Sequence, residues 1–196
     1  MDSGYLDTLA AALTSRPEVV RLDPGLTDAE IESVQSRFGF LFPPDLRSVL
    51  QRFLPVGEYF LDWRNGAVED LLARLVWPLE GILLDVAQGW WRIEWGDKPS
   101  DSKEAKELVW QIVKGAPLLV PIFSHRYIPS EPLKAGNPVF SVHQTDIIHY
   151  GNDLASYFHH EFGVALPDWA ARDPRPIRFW DRAMRWREDE ENYGRK

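Results

Sequence analysis

Three of the five histidines of this 196-residue chain, His125, His143 and His149, fall between Pro117 and Gly151. His125 and His143 belong to two short polar runs, Ser124-His125-Arg126-Tyr127 and His143-Gln144-Thr145-Asp146. Imidazoles exchange protons near neutrality, and a guanidinium grips phosphate oxygens through parallel hydrogen bonds. With His125 and His143 as acid and base and Arg126 as a clamp, the set would suit a nuclease or a small phosphodiester hydrolase. The competing reading is structural: these residues end strands and bond to carbonyls that a proline-rich loop leaves without local partners. No nucleophile elbow, P-loop or glycine-rich nucleotide motif accompanies them. His125, His143 and His149 with Asp146 could also ligate zinc or iron. The spacing offers no H-x-H or H-x-x-x-H pair, and His159 and His160, adjacent on a helix, point about 100° apart. No metal and no cofactor is expected.

The elements that position these groups are two apolar runs, Leu118–Phe123 and Val139–Val142, with Ile147–Tyr150 as a further strand. If the first two pair, backbone hydrogen bonds fix the polar runs relative to one another. Helices surround them. Tyr5–Leu13 places Leu6, Leu9 and Leu13 on one side. Thr27-Asp28-Ala29-Glu30 is a capping box ahead of Ile31, Val34 and Phe38, with Gly39 as the stop. Pro43-Pro44 opens a helix striped by Leu46, Val49, Leu50 and Phe53, which Pro55-Val56-Gly57 ends. Tyr59–Trp63 alternates as a strand, and Val68–Trp77 reads as a helix closed by Pro78. Gly81–Val86 is a short apolar run of either kind. Ser102 caps a helix to Lys114. Asn152 or Asp153 caps another to Phe162, with Gly163 at its end. Pro176 opens a last helix carrying Ile177, Trp180 and Met184, and Glu188–Lys196 form a charged, frayed end. The fold class is α+β: one domain with a mainly antiparallel central sheet flanked by N- and C-terminal helices.

Composition narrows the function. The hydrophobic fraction of 44% supports a packed core. The absence of cysteine excludes disulfides, thiolate catalysis and cysteine-based zinc sites. The net charge of −8 disfavours nucleic acid. It would suit a basic partner, but the better reading is that modest negative charge simply keeps the protein in solution. Neither a signal peptide nor a membrane-length apolar run is visible, so a cytoplasmic protein is expected. Nine tryptophans are many for this length, and Trp90-Trp91-Arg92-Ile93-Glu94-Trp95 is either a partner-binding hot spot, a ligand pocket wall or core. The arginines Arg172, Arg175, Arg178, Arg182, Arg185 and Arg187 interleave with Asp173, Asp181, Glu188 and Asp189. They read as a solvated, salt-bridged helix face.

The order of these pieces resembles a known family. Leu26–Phe53 has a capped acidic helix, a glycine, a Pro-Asp step and a helix bearing Leu46-Arg47 and Leu50. It resembles the opening of SUKH domains of the Smi/Knr type. Gly136–Leu154 resembles the stretch of that family in which the sheet passes into the last helix. The resemblance covers Leu26 to Gly163. It implies an α+β domain used as a protein-binding module, without shared catalytic residues. Bacterial members resemble immunity proteins that neutralise toxins, and fungal members look like regulators of cell-wall synthesis. The chain departs from the family where Leu54-Pro55-Val56-Gly57 replaces a frequent Asn-Gly-Gly, and in its longer, tryptophan-rich middle.

The expected organisation is a helical extension over residues 1–25, a SUKH-like domain over 26–163, and a C-terminal helical extension over 164–196. The expected function is non-catalytic protein binding, with a toxin domain as one such partner. The alternatives are a hydrolase using His125 and His143, and a small-ligand domain with a tryptophan-lined pocket. The contact surface is expected at the strand ends, with His125, Arg126, Tyr127, Asn137, His143, Gln144 and Asp146. Trp91 and Glu94 extend it, Trp91 as an apolar anchor.

Overall fold

Two short polar residues start the N-terminal helices in the same way. The structure, a computed structural model, describes residues 1–186. Asp2 accepts from the Tyr5 amide to cap α1 (Ser3–Thr14). Thr27 accepts from the Glu30 amide to cap α2 (Asp28–Phe38), and Glu30 reaches back to the Thr27 amide at 2.7 Å. Bonds from Arg64, and then from Thr27, hold the Glu30 carboxyl down at about 2. Gly39, left-handed at φ 72°, ends α2 as its type predicts. A strand not foreseen in the sequence, β1 (Arg21–Pro24), lies between the two helices.

Helix α3 (Pro44–Arg52) stops where Phe53 turns extended, and β2 (Phe53–Val56) pairs antiparallel with β1. Phe53 therefore belongs to a strand and not to the helical stripe. The expected strand Tyr59–Trp63 is absent. That segment bends, and Asp62 closes a turn by accepting from the amides of Arg64 and Asn65.

Pro78 does not end a helix. α4 runs unbroken over Val68–Ala87, with Pro78 inside it, and absorbs the Gly81–Val86 run. A proline at that position gives the carbonyl of Arg74 no amide donor, at a cost of about 3 kcal/mol in an isolated helix. Tyr127 supplies the missing donor: its hydroxyl bonds to the Arg74 carbonyl at 3.2 Å. α5 (Ser102–Val113) is capped by Asp101, one residue before the expected Ser102.

The central sheet is an antiparallel meander in the order β3 (Leu119–Phe123), β4 (Arg126–Pro129), β5 (Val139–His143) and β6 (Asp146–Gly151). The runs expected to pair with each other are separated by β4, which bonds to both. Helix α6 (Leu154–Phe162) follows, capped by Asp153 and ended by left-handed Gly163.

Alternation along the strands divides the core into two layers. Val120, Ile122, Ile128 and Val139 pack with Leu9, Ile31, Leu50 and Phe158, from α1, α2, α3 and α6. Leu119, Tyr127, Phe140, Val142 and Ile147 pack with Ile82, Val109 and Trp180, from α4, α5 and the C-terminal segment. Helices thus cover both faces, and the fold is α+β. α1 docks beside α6, where the Tyr5 hydroxyl donates to the Ala155 carbonyl at 3.3 Å. Among the described residues the C-terminal segment holds a short helix, α7 (Trp180–Ala183), in place of one starting at Pro176. Arg187 and the expected frayed end lie outside the described residues.

Candidate functional site

Two tight turns build one end of the sheet. Ser124-His125 joins β3 to β4, and Gln144-Thr145 joins β5 to β6. Ser124 and Gln144 have φ of 48° and 58°. That left-handed region costs a non-glycine residue roughly 1–2 kcal/mol. Both turns lean on α4. Arg74 donates through Nη2 to the Ser124 carbonyl. Eleven residues on, Asp85 accepts from the Thr145 amide at 3.0 Å and from its hydroxyl at 2.6 Å. Between them, a Cβ on Gly81 would stand 2.9 Å from the Gln144 Cα. The helix is a strut across the turn end of the sheet, and its glycine allows the close approach.

Arg126 is the hub of the polar network. Its Nε bonds to Glu161 of α6 at 3.0 Å, and its Nη1 bonds to Ser141 on the neighbouring strand at 2.6 Å. Its guanidinium lies 3.6 Å above the Tyr150 ring. Nη1 also meets His125 Nε2. A guanidinium can only donate, so that imidazole nitrogen accepts and the ring proton sits on Nδ1, 3.1 Å from Ser124 Oγ. Burial, and then the Arg126 charge, lowers the His125 pKa. His143 is near enough for its charge to act on His125, and its side chain is exposed at the end of β5. Asp146 faces it in register.

The structure brings together His125, Arg126 and, beyond them, His143, Gln144 and Asp146. Tyr127 and Asn137 do not share that surface. Tyr127 is buried and committed to Arg74. Asn137 is buried at the opposite end of β5, donating to the Pro129 and Pro132 carbonyls and accepting from Arg175. Neither side chain is placed to meet a partner. His149 faces away from the turns, stacked on Phe140 with its Nε2 3.7 Å from Asp181. His159 and His160 contact the Val164 and Tyr150 carbonyls separately. Among the described residues no group of three or more His, Cys, Asp or Glu side chains stands close enough to hold a metal ion.

The tryptophan segment is an irregular loop with one tight turn at Ile93–Trp95. Trp90, Trp95 and Trp186 pack in mutual contact, with ring centroids 5.3–5.5 Å apart. The indoles of this loop therefore fill one another's space. Trp91 stands on the rim and donates to the Gly96 carbonyl. Glu94 is paired with Arg92 at 2.8 Å. Ile93 projects from the tip with 92% of its surface exposed.

Ser141, Tyr150 and Glu161 complete the network around Arg126 but carry no local mark in the sequence. Asp85 does carry one: it is a lone carboxylate inside the apolar run Gly81–Val86. These geometries define an α+β protein with a polar network at the turn end of its sheet. No protein-family model, curated protein or solved structure matches the chain.

Proposed function

We propose that the chain is a non-catalytic protein-binding module, with the immunity-type neutralisation of a toxin domain as its specific form. One contrast carries the reading. At the turn end of the sheet, the clamp and one imidazole that chemistry would need are bonded to each other, and Arg126 is bonded also to Glu161 and Ser141. Beside them Tyr59 at 44% and Trp77 at 47% stand exposed, and Ile93 projects from the tip of the tryptophan loop at 92%. Exposed aromatic and aliphatic anchors beside a self-satisfied polar network suit an interface more than a reaction site. The SUKH resemblance points the same way. No transmembrane helix competes with it, since no helix among the described residues is long and apolar enough to cross a membrane.

The test is affinity capture by the immobilised protein from native lysate at about 0.1 M salt, where surface charges act over ~10 Å. A stoichiometric protein partner is expected, whose retention falls at least tenfold in Ile93→Ser or Trp77→Ala. Recovery of no partner sinks the reading. So does hydrolysis of a phosphate ester that disappears in His143→Ala, which would install the enzymatic alternative instead.

A further inference from the structure

We propose that the cleft between residues 58–62 and the first half of α4 receives a lysine- or arginine-bearing segment of the partner. The inference rests on the protein-binding reading and assigns it a chemistry. The cleft measures about 540 Å³, within the range of built ligand sites. Asp70, Ala73 and Trp77 line one wall. Their i, i+3, i+7 spacing puts them on one helix face about 10 Å long. Glu58, Tyr59 and Asp62 line the other wall.

Its charge selects the occupant. Glu58 and Asp70 are exposed and form no ion pair among the described residues. Asp62 is engaged in its own turn, accepting from the Arg64 and Asn65 amides. The cation in the lining is Arg74, and it is turned toward the Ser124 carbonyl. Asp62 shares its field with Arg21 and Arg64 outside the cleft, so Glu58 and Asp70, with Arg74 turned away, are what leave the cleft negative. Tyr59 and Trp77 add exposed aromatic rings, whose faces attract ammonium and guanidinium groups. The methylene stems of Lys and Arg would cover the apolar floor, where Phe60 and Leu71 are buried. The chain's net charge of −8 draws the same partner from a distance. Acidic peptides and nucleic acids are repelled by the same field.

Three pools of twelve-residue peptides test this, each mixing Leu and Trp with Lys/Arg, with Asp/Glu, or with Ser/Gly. They are titrated into isotope-labelled protein while the Trp77 indole N–H resonance is followed. The basic pool alone is expected to move the Trp77 and Tyr59 signals. Glu58→Lys with Asp70→Lys is expected to weaken binding at least tenfold. Glu18→Lys with Glu104→Lys, an equal charge change on exposed residues elsewhere, is expected to weaken it less than twofold. Equal losses in the two pairs would mean attraction by net charge alone and would overturn the cleft. So would shifts confined to other residues, no binding of the basic pool, or identical shifts from tetramethylammonium at the same concentration. If the captured partner still binds the Glu58 and Asp70 reversals at full strength, this inference falls and the protein-binding reading stands. If nothing is captured at all, that reading falls first.

Discussion

His125 and His149 show how burial sets the behaviour of single side chains. Desolvation is the first cause that lowers the pKa of each, joined at His125 by the Arg126 charge. The folded chain therefore binds these protons less tightly than the unfolded chain does. Their contribution is fully present above the ordinary histidine value of about 6.5 and is lost as pH falls below it. The urea midpoint is expected to drop between pH 7 and 5, and His149→Gln should flatten part of that drop. Proton NMR should find both rings titrating below the ordinary value. Asp85 is a second case. Replacing it with Ala removes the acceptor of the buried Thr145 amide and hydroxyl, which should cost roughly 1–3 kcal/mol. Asp85→Asn keeps an oxygen in place and should cost less, as denaturant melts of the two variants would record.

At the scale of elements, caps and stops were legible and tertiary exceptions were not. Thr27, Glu30, Gly39, Asp153 and Gly163 all act through the backbone within a few residues, so type and spacing were enough. Pro78 misled because its tolerance depends on Tyr127, a residue 49 positions later that bonds to the carbonyl left open. This pair is testable by a double-mutant cycle. Tyr127→Phe should cost about 1 kcal/mol in the natural chain. The cost should shrink in Pro78→Ala, where residue 78 regains its own amide donor. Gly81 makes the opposite case. Alanine is better than glycine in a helix by about 1 kcal/mol, yet Gly81→Ala would drive its Cβ against Gln144. A net loss of roughly 1–3 kcal/mol is expected from that overpacking. β1 and β4 escaped the sequence reading for a related reason. Both are four-residue strands whose identity comes from the partner they pair with. His125, His143, Gln144 and Asp146 of the expected polar cluster do lie at or beside the turns that end the strands. Which members face water was not legible, because Tyr127 and Asn137 are drawn inside by carbonyls that other elements leave open.

The whole molecule divides into parts with different reach along the chain. β3 to β6 pair only with sequence neighbours, an arrangement that closes quickly. α1 is the opposite: Tyr5 bonds to Ala155, and Arg16 bonds through Nη2 to the Phe162 carbonyl at 3.1 Å. Contacts of such separation are expected to form after the rest of the core. Leu9→Ala, at a fully buried position, should cost about 2–5 kcal/mol. Most of that cost should appear as faster unfolding and little as slower folding, in stopped-flow kinetics. A ribosome makes Leu6, Leu9 and Leu13 early and the α6 residues that cover them much later. Throughout that interval the nascent chain displays a greasy helix only partly covered by α2 and α3, a natural handle for the chaperones that attend synthesis.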